Sequence, residues 1–418
     1  MTATAARPHV VVLHRWRDAY AHYDRYVDHD THAVSYVTTD VGAAGVPERA
    51  AAVALVDATD DVEQVDARIR SLAARFGRPV AVVALKEDDL LPAAVLAVRW
   101  GCAGRTPQEV TLFRDKLVMA RTVAAAGIPV PATAPAPDPA AVREHAARHG
   151  WPVVVKPRTG SSSAGVRLIA GPDEAADVGH DPARLVQAYQ PDPIHHVDGV
   201  FDGATLGPWR LSAYLDTCLA FRDGRPLGSV EVDEPTVVAA VGAFTTSVLR
   251  ALTDRPTVFH LEVFLRHAGD GPPHCTLLEV GARVGGAEIP FVWRDVHGYD
   301  LMRAAFRIAL GHPPPDPPPT GIRTEVAGWL LVPAPAGRPC HIEEATSMTG
   351  RDPGPYAEVV PRVGDVLPAA DAYYEHVGAR YRFRGADSAA VRAAVLATAR
   401  DARVTGRTVT GLVAGGLR

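Results

Sequence analysis

Cysteine is scarce in this sequence and carries no pattern. Cys102, Cys218, Cys275 and Cys340 form no CxxC or CxxH pair, which argues against a disulfide framework or a zinc finger and leads us to expect a reducing cytoplasm. An excess of either charge is also lacking. Lys plus Arg total 43 against 48 for Asp plus Glu, a net charge of −5, so there is no electrostatic footprint for nucleic acid or an anionic membrane. Long hydrophobic runs are missing too. The first, Val10 to Leu13, breaks into charge well short of a secretory signal, and no uncharged run reaches membrane-spanning length. No repeat of solenoid length occurs, and no GxGxxG follows the first strand, which speaks against a dinucleotide site. What is present is 418 residues of ordinary composition, 47% hydrophobic and 22% charged. That length is enough for roughly two to four packed units.

The first hundred residues alternate strand and helix. Val10 to Leu13, Ala33 to Thr38, Ala51 to Val56 and Pro79 to Leu85 read as strands, and Val62 to Phe76 has helical spacing, a pattern that predicts a parallel, Rossmann-like sheet. From Thr111, the residues Leu112, Lys116, Met119 and Val123 repeat at helical spacing up to Gly127. Pro131 to Pro139 reads as a loop, Ala140 to His149 as a helix and Trp151 to Lys156 as a buried strand. Val258 to Leu265 and Cys275 to Val280 are expected to pair antiparallel. The run GHPPPDPPPTG, Gly311 to Gly321, is the clearest linker. A last unit follows, with a strand at Val326 to Val332 and a helix at Ser388 to Ala402.

Two segments carry chemistry. In PVVVKPRTGSSSAGVRLI, Pro152 to Ile169, a strand delivers Lys156, and a loop of Gly and Ser from Thr159 to Gly165 follows. Small residues let backbone N–H groups close over an anion, and Lys156 supplies a compact positive charge. The Lys precedes the glycines and a strand follows them, so this is not a P-loop. The plainer alternative is a flexible hairpin tip. In FHLEVFLRHAGDGPPHCTLLEVGARVGGAEIP, Glu262 and Glu279 sit mid-strand among apolar residues. Buried carboxylates want a cation, and oxygen donors suit Mg²⁺. The plainer alternative is a pair of salt bridges, Glu262 with Arg266 and Glu279 with Arg283. His260 shares a strand face with Glu262, and Arg283 follows at the strand end, placed to reach a phosphoryl group or a carboxylate.

Asp115-Lys116 with Gly127-Ile128-Pro129-Val130-Pro131, then VVVKPRTGSSSAGV, HLEVF and LLEVGARVGG, resemble in this order the ATP-grasp superfamily of carboxylate–amine ligases. The resemblance spans about residues 108–310, and the SSSAGV loop and GARxGG ending are most similar to bacterial L-amino-acid ligases. It implies an α/β (α+β ATP-grasp) fold: a Rossmann-like N-terminal domain over 1–107, a two-part ATP-grasp domain over 108–312 divided near 185, and a C-terminal α+β unit over 322–418. It further implies that Lys116 and Lys156 contact ATP phosphates, with Arg283, as the catalytic cations. Gly160, Ser161, Ser162, Ser163 and Gly165 would form a mobile phosphate loop. Gln187, Ala188, Tyr189 and Gln190 would read adenine, largely through the backbone of Ala188 and Tyr189. Glu262 and Glu279 would hold Mg²⁺, with Mn²⁺ as an alternative. The chain departs from the family pattern at three places. The hinge begins with Gln187 rather than Glu. The ribose position reads Ile194-His195-His196, leaving His195 and Asp198 as the nearest polar candidates. Gly281 stands where Asn often completes the metal site, so a second Mg²⁺ would need His260 or water.

The implied reaction is amide formation through an acyl phosphate, releasing ADP and phosphate, with an amino acid as one substrate. Weaker substrate candidates are Glu231, Arg283, Gly285, Gly286 and Trp293, with Trp209 as a second possible pocket wall. His14 and Arg15 follow the first strand, where open α/β sheets place ligand contacts. The partners expected are small molecules, with no nucleic acid and no membrane, and a homodimer fits enzymes of this kind. Two alternatives stay open: a carboxylase-like enzyme using bicarbonate, and a non-catalytic ATP-binding regulator.

Overall fold

The computed structural model describes residues 7–16, 20–267, 271–318, 325–335, 337–368 and 376–409. The N-terminal strands form as expected: His9–His14, Ala33–Thr38, Ala52–Leu55 and Pro79–Ala84. They pair in parallel, in the spatial order third, second, first, fourth. Every residue of the first two is buried, as a sheet covered on both faces requires. The helix Val62–Phe76 packs Val65, Ile69 and Leu72 on this sheet and is capped by the Asp61 carboxylate, which accepts from the N–H groups of Glu63 and Gln64.

The helical stretch beginning at Thr111 is two helices, Pro107–Arg114 and Lys116–Ala125. Asp115 breaks it. Its carboxylate accepts from the N–H groups of Leu117 and Val118, so a new helix starts one residue later and Lys116 becomes its first residue. A small antiparallel sheet follows, in the order Thr133–Pro135, Arg184–Ala188, Val153–Pro157, Arg167–Ile169. Its edge strand Thr133–Pro135 lies within the stretch read as loop. It is three residues long and ends in proline, which an edge tolerates.

The largest sheet has eight strands, in the order His274–Gly281, Thr257–Arg266, Ile194–Phe201, Leu206–Tyr214, Leu227–Glu231, Val326–Pro333, Val377–Gly385, Ala357–Val359. Leu227–Glu231 pairs antiparallel with Val326–Pro333, so the sheet continues across the proline-rich linker. On one face lie the helices Lys116–Ala125 and Pro235–Leu252, closing a core with Val197, Phe259 and Leu261. The helix Pro235–Leu252 is long and apolar enough to cross a membrane by those criteria alone. Here it buries the stripe Val237, Val241, Thr245, Val248 and Leu252. On the other face, the helices Ile289–Asp295 and Leu301–Ala309 share a core with the N-terminal sheet. The Tyr23 and Phe306 rings meet edge-on at 5.9 Å there.

Candidate active site

Glu262 and Glu279 are direct cross-strand partners. Alternation along Thr257–Arg266 turns Phe259, Leu261 and Val263 into the core and leaves His260, Glu262 and Phe264 on the opposite face. Next to this pair the ladder slips: Val263 faces Leu277, so Leu278 is an extra, bulged residue. A regular pleat would turn Leu278 away from Glu279, whereas the bulge lets both line the same cavity. Glu262 accepts from the Tyr214 hydroxyl at 2.9 Å, and Glu279 lies 3.5 Å from the Lys116 ammonium. Neither of the salt bridges considered from sequence forms. Burial opposes ionisation of Glu262, but His260 and Tyr214 hold its carboxyl below the ordinary value.

The cavity measures about 390 Å³ and lies between the small sheet and the end of the large one. Lys156 projects into it from the strand Val153–Pro157, only 4% exposed. Its ammonium makes no hydrogen bond or ion pair to a described residue, and burial pushes its pKa down against the pull of Glu279. A buried, unpartnered cation facing a cavity fits an anionic ligand. The loop between the lysine strand and its neighbour has positive φ at Gly160, Ser162, Ser163 and Gly165. For serine such backbone costs about 1–3 kcal/mol per residue, and runs of this kind gather N–H groups into an anion-binding concavity. Three contacts hold the loop. Lys116 donates to Gly160 C=O at 2.9 Å and Arg222 to Ser163 C=O at 2.7 Å. Ser161 donates to the Asp88 carboxylate at 3.4 Å.

Val154 and Leu168 from the small sheet, with Phe264 and Leu278 from the large one, wall the slot, and the segment from Gln187 to Ile194 runs along it. Gln187 spends its amide N–H on the Thr133 hydroxyl at 3.0 Å, which leaves its carbonyl for a ligand. The Ala188 N–H is engaged by Ala132 C=O, so only its carbonyl side can take part in reading a base. The structure does not bring the two ribose candidates to the slot. His195 points to the other face of its strand, where its Nδ1 is buried without a hydrogen bond. Asp198 lies beside His260 in register, one strand inward from Glu262, and accepts from His196 at 2.6 Å and His260 at 2.8 Å. The lining acid is Asp192 instead, legible only as the first carboxylate after the hinge.

Asp198, His196 and His260 bring their ligand atoms within 4.8 Å of one another. Their contacts are direct hydrogen bonds, extended by His196 to the Ser229 hydroxyl at 2.7 Å, so this is a hydrogen-bonded chain and not a cage around an ion. Burial works against a charged His260, but Asp198 raises its pKa to about 9. Its Nε2 lies 3.8 Å from the Glu262 carboxylate.

A second chamber of about 230 Å³ adjoins the slot, with Ser161, Ser163, Cys218, Glu262 and Glu279 lining both. Arg283, Gly285 and Gly286 line it as expected. Arg283 donates to Glu87 at 2.5 Å, and Glu87 also pairs with Arg114 at 2.7 Å. A side chain at Gly281 would meet the Glu87 carboxylate and the Arg283 side chain, each 3.4 Å from its first carbon. The N-terminal crevice does face this chamber, through Trp16, Tyr20, Lys86, Glu87 and Asp88. His14 and Arg15 stay outside it. His14 bonds to the Tyr23 hydroxyl at 3.1 Å, and Arg15 is bound to Asp89.

Three substrate candidates are also placed elsewhere. Glu231 is buried and accepts from His297 at 2.6 Å and the Ala327 N–H at 2.8 Å, so both its oxygens are taken by protein partners. Trp293 is 2% exposed within the core, edge-on to His297. Trp209 packs against Gly242 of the long helix, on the far face of the sheet. Sequence reasoning missed Glu87, although the end of a parallel strand is where such sheets place ligand contacts. It also missed Phe264 and Leu278, which read only as strand residues.

Over 97% of this chain and 100% of the other, the L-amino acid ligase from Bacillus licheniformis superposes with a TM-score of 0.73 at 14% identity. The chain has the ATP-grasp fold. N5-carboxyaminoimidazole ribonucleotide synthetase from Thermotoga maritima shares it, with a TM-score of 0.67 at 14% identity over 96% of this chain and 100% of that one. So does the biotin carboxylase domain of the Hydrogenobacter thermophilus 2-oxoglutarate carboxylase, with a TM-score of 0.65 at 15% identity over 95% and 90%. In sequence, carnosine synthase 1 of Gallus gallus is 30% identical over 215 residues, 45% of this chain and 22% of the relative. The match therefore spans about a fifth of that protein's length. No family model matches the chain.

Proposed function

We propose that this chain is an ATP-dependent carboxylate–amine ligase that forms an amide bond through an acyl phosphate, with an amino acid as one substrate. One observation carries the reading. Lys116, the unpartnered Lys156, the left-handed Ser loop and the opposed pair Glu262 and Glu279 converge on one cleft that opens into a chamber holding Arg283. The fold neighbour from Bacillus licheniformis is an L-amino acid ligase and the sequence relative a carnosine synthase, names that support an amino-acid substrate.

The opposed carboxylates fit Mg²⁺, or Mn²⁺, by their hard oxygen donors, and the bound ion would supply charge neutralisation to the phosphates. Phosphoryl transfer asks a protein chiefly to position groups and cancel charge. Lys116, Lys156 and the loop N–H groups hold the triphosphate, while Arg283 faces it from the chamber. A carboxylate oxygen of the substrate attacks the γ-phosphorus and ADP departs. The amine nitrogen then attacks the acyl carbon, orthophosphate leaves, and the amine proton passes to solvent. The loop over Gly160 to Gly165, tied to Arg222 and Asp88, keeps water out meanwhile.

The test is ADP and phosphate release against amino acids, singly and in pairs, and against bicarbonate. We expect release to need amino acids, and Lys156→Ala and Glu279→Ala each to lose ~10²–10³ in rate. Near-normal turnover in both variants would overturn the reading. Release driven by bicarbonate alone would favour the carboxylase-like alternative, which the size and aromatic walls of the chamber count against. Nucleotide binding without any release would favour the regulator. Assembly as a homodimer, checked by light scattering, and residence in a reducing compartment, where the free cysteines would persist, complete the proposal.

A further inference from the structure

We infer, resting on the ligase reading, that the chamber beside the nucleotide cleft selects an amino-acid-sized substrate with a bulky apolar side chain, and that Trp16 helps set this choice. Its volume of about 230 Å³ falls below the roughly 300–1,000 Å³ of ordinary small-molecule sites, which suits a single amino acid and not a peptide. Its two ends differ chemically. One end carries Glu262, Glu279 and Arg283, beside the triphosphate position. The other reaches Leu227, Leu331 and Val377, and Leu331 lies on a strand four places along the sheet from that of Glu262.

The walls between these ends carry aromatic surface from two units, beside the polar lining of Lys86, Asp88 and His260. Tyr214 has committed its hydroxyl to Glu262, and its ring stands edge-on to Trp329 at 6.3 Å. From the N-terminal unit, Trp16 packs against Tyr20 with ring centroids 5.7 Å apart. A carboxylate held at the charged end therefore sends its side chain toward aromatic and aliphatic surface, where burial of apolar area favours large apolar groups. The cation at the far end, Arg380, lies 3.9 Å from the buried Glu288, so an acidic side chain would compete with an existing partner.

Two measurements test this. ADP release is compared across the amino acids for the wild type, Trp16→Ala and Trp16→Phe. We expect kcat/KM for leucine, methionine or phenylalanine to exceed that for serine, aspartate or lysine by about tenfold or more. Trp16→Ala should lower the apolar values several-fold while sparing small substrates, and Trp16→Phe should restore most of the loss. Intrinsic fluorescence, titrated with the same amino acids in the presence of ADP and Mg²⁺, reads the chamber independently of turnover, because Trp16 and Trp329 both wall it. Apolar amino acids should perturb it at lower concentration than polar ones. Preference for acidic or small polar amino acids in both measurements, or a Trp16→Ala effect equal for all substrates, would overturn the inference and leave the ligase reading intact. Selective binding of apolar amino acids without any ADP release would support the chamber's selectivity and sink the ligase reading.

Discussion

At the scale of single residues, Lys156 shows a site maintained against stability. Its ammonium is buried, has no partner among the described residues and has its pKa lowered by burial. Replacing it with an apolar side chain of similar length removes that penalty. We expect Lys156→Met to raise the thermal midpoint of the nucleotide-free protein, by about 1 kcal/mol or more of stability, while lowering ATP turnover by ~10²–10³. Added ADP and Mg²⁺ should reverse the order of the two midpoints, since only the wild type gains from phosphate binding. Glu87 behaves in the opposite way. Burial pushes its carboxyl up, but Arg283 and Arg114 pull it down to about 2. A carboxyl depressed below its ordinary value of 4.5 stabilises the fold fully above that pH, and the contribution is lost as pH falls toward 2. At neutral pH this amounts to ~3 kcal/mol. Glu87→Gln should therefore lower the urea midpoint at pH 7, and its difference from wild type should narrow once pH drops below about 4.5. The same variant frees Arg283 and should lower kcat/KM for the carboxylate substrate.

At the scale of elements, the break at Asp115 places Lys116. The apolar spacing through Leu112, Met119 and Val123 suits one continuous helix, yet the Asp115 carboxylate captures two N–H groups and pairs with Arg158 at 2.5 Å. Local hydrogen bonding thus prevails over periodicity. Asp115→Ala should cost ~1–2 kcal/mol, typical of a lost N-cap, visible as a lower urea midpoint. It should also raise KM for ATP, because Lys116 loses its place as the first residue of a helix. The bulge at Leu278 is the second such case. Alternation alone turns Leu278 away from Glu279, so the sequence pattern hides an apolar wall of the slot.

At the scale of the whole molecule, the eight-stranded sheet binds what the sequence presents as separate units. Val326–Pro333, buried along nearly its whole length, lies between Leu227–Glu231 and Val377–Gly385. Cutting the chain in the proline-rich linker would strip this strand away. It would expose an unpaired edge at Leu227–Glu231 and uncover Phe221 and Leu227, which share a core with Trp329 and Leu331. We expect a fragment of residues 1–312 to aggregate on expression, as judged by size-exclusion chromatography of the cleared lysate, while co-expressed 322–418 restores soluble protein. A soluble, monodisperse 1–312 fragment would show the boundary to be a true domain border.

The sequence by itself determined the order of elements, the parallel N-terminal sheet and the lysine, loop and glutamate segments that line the slot. These follow from local patterns: apolar alternation, helical spacing, and glycine and serine where backbone must turn. Only the tertiary structure decided which side chains share a cavity. Glu231, Trp293 and Asp198 look like site residues along the chain, yet sheet register buries Glu231 and Asp198 among partners that use up their polar groups, and helix packing buries Trp293 in the core. Glu87 and Trp16 come to the site from nearly two hundred residues away or more, because helices packed on the large sheet dock the N-terminal crevice against it. Such long-range placement depends on how separate apolar faces pack together, and no local pattern in the chain encodes it.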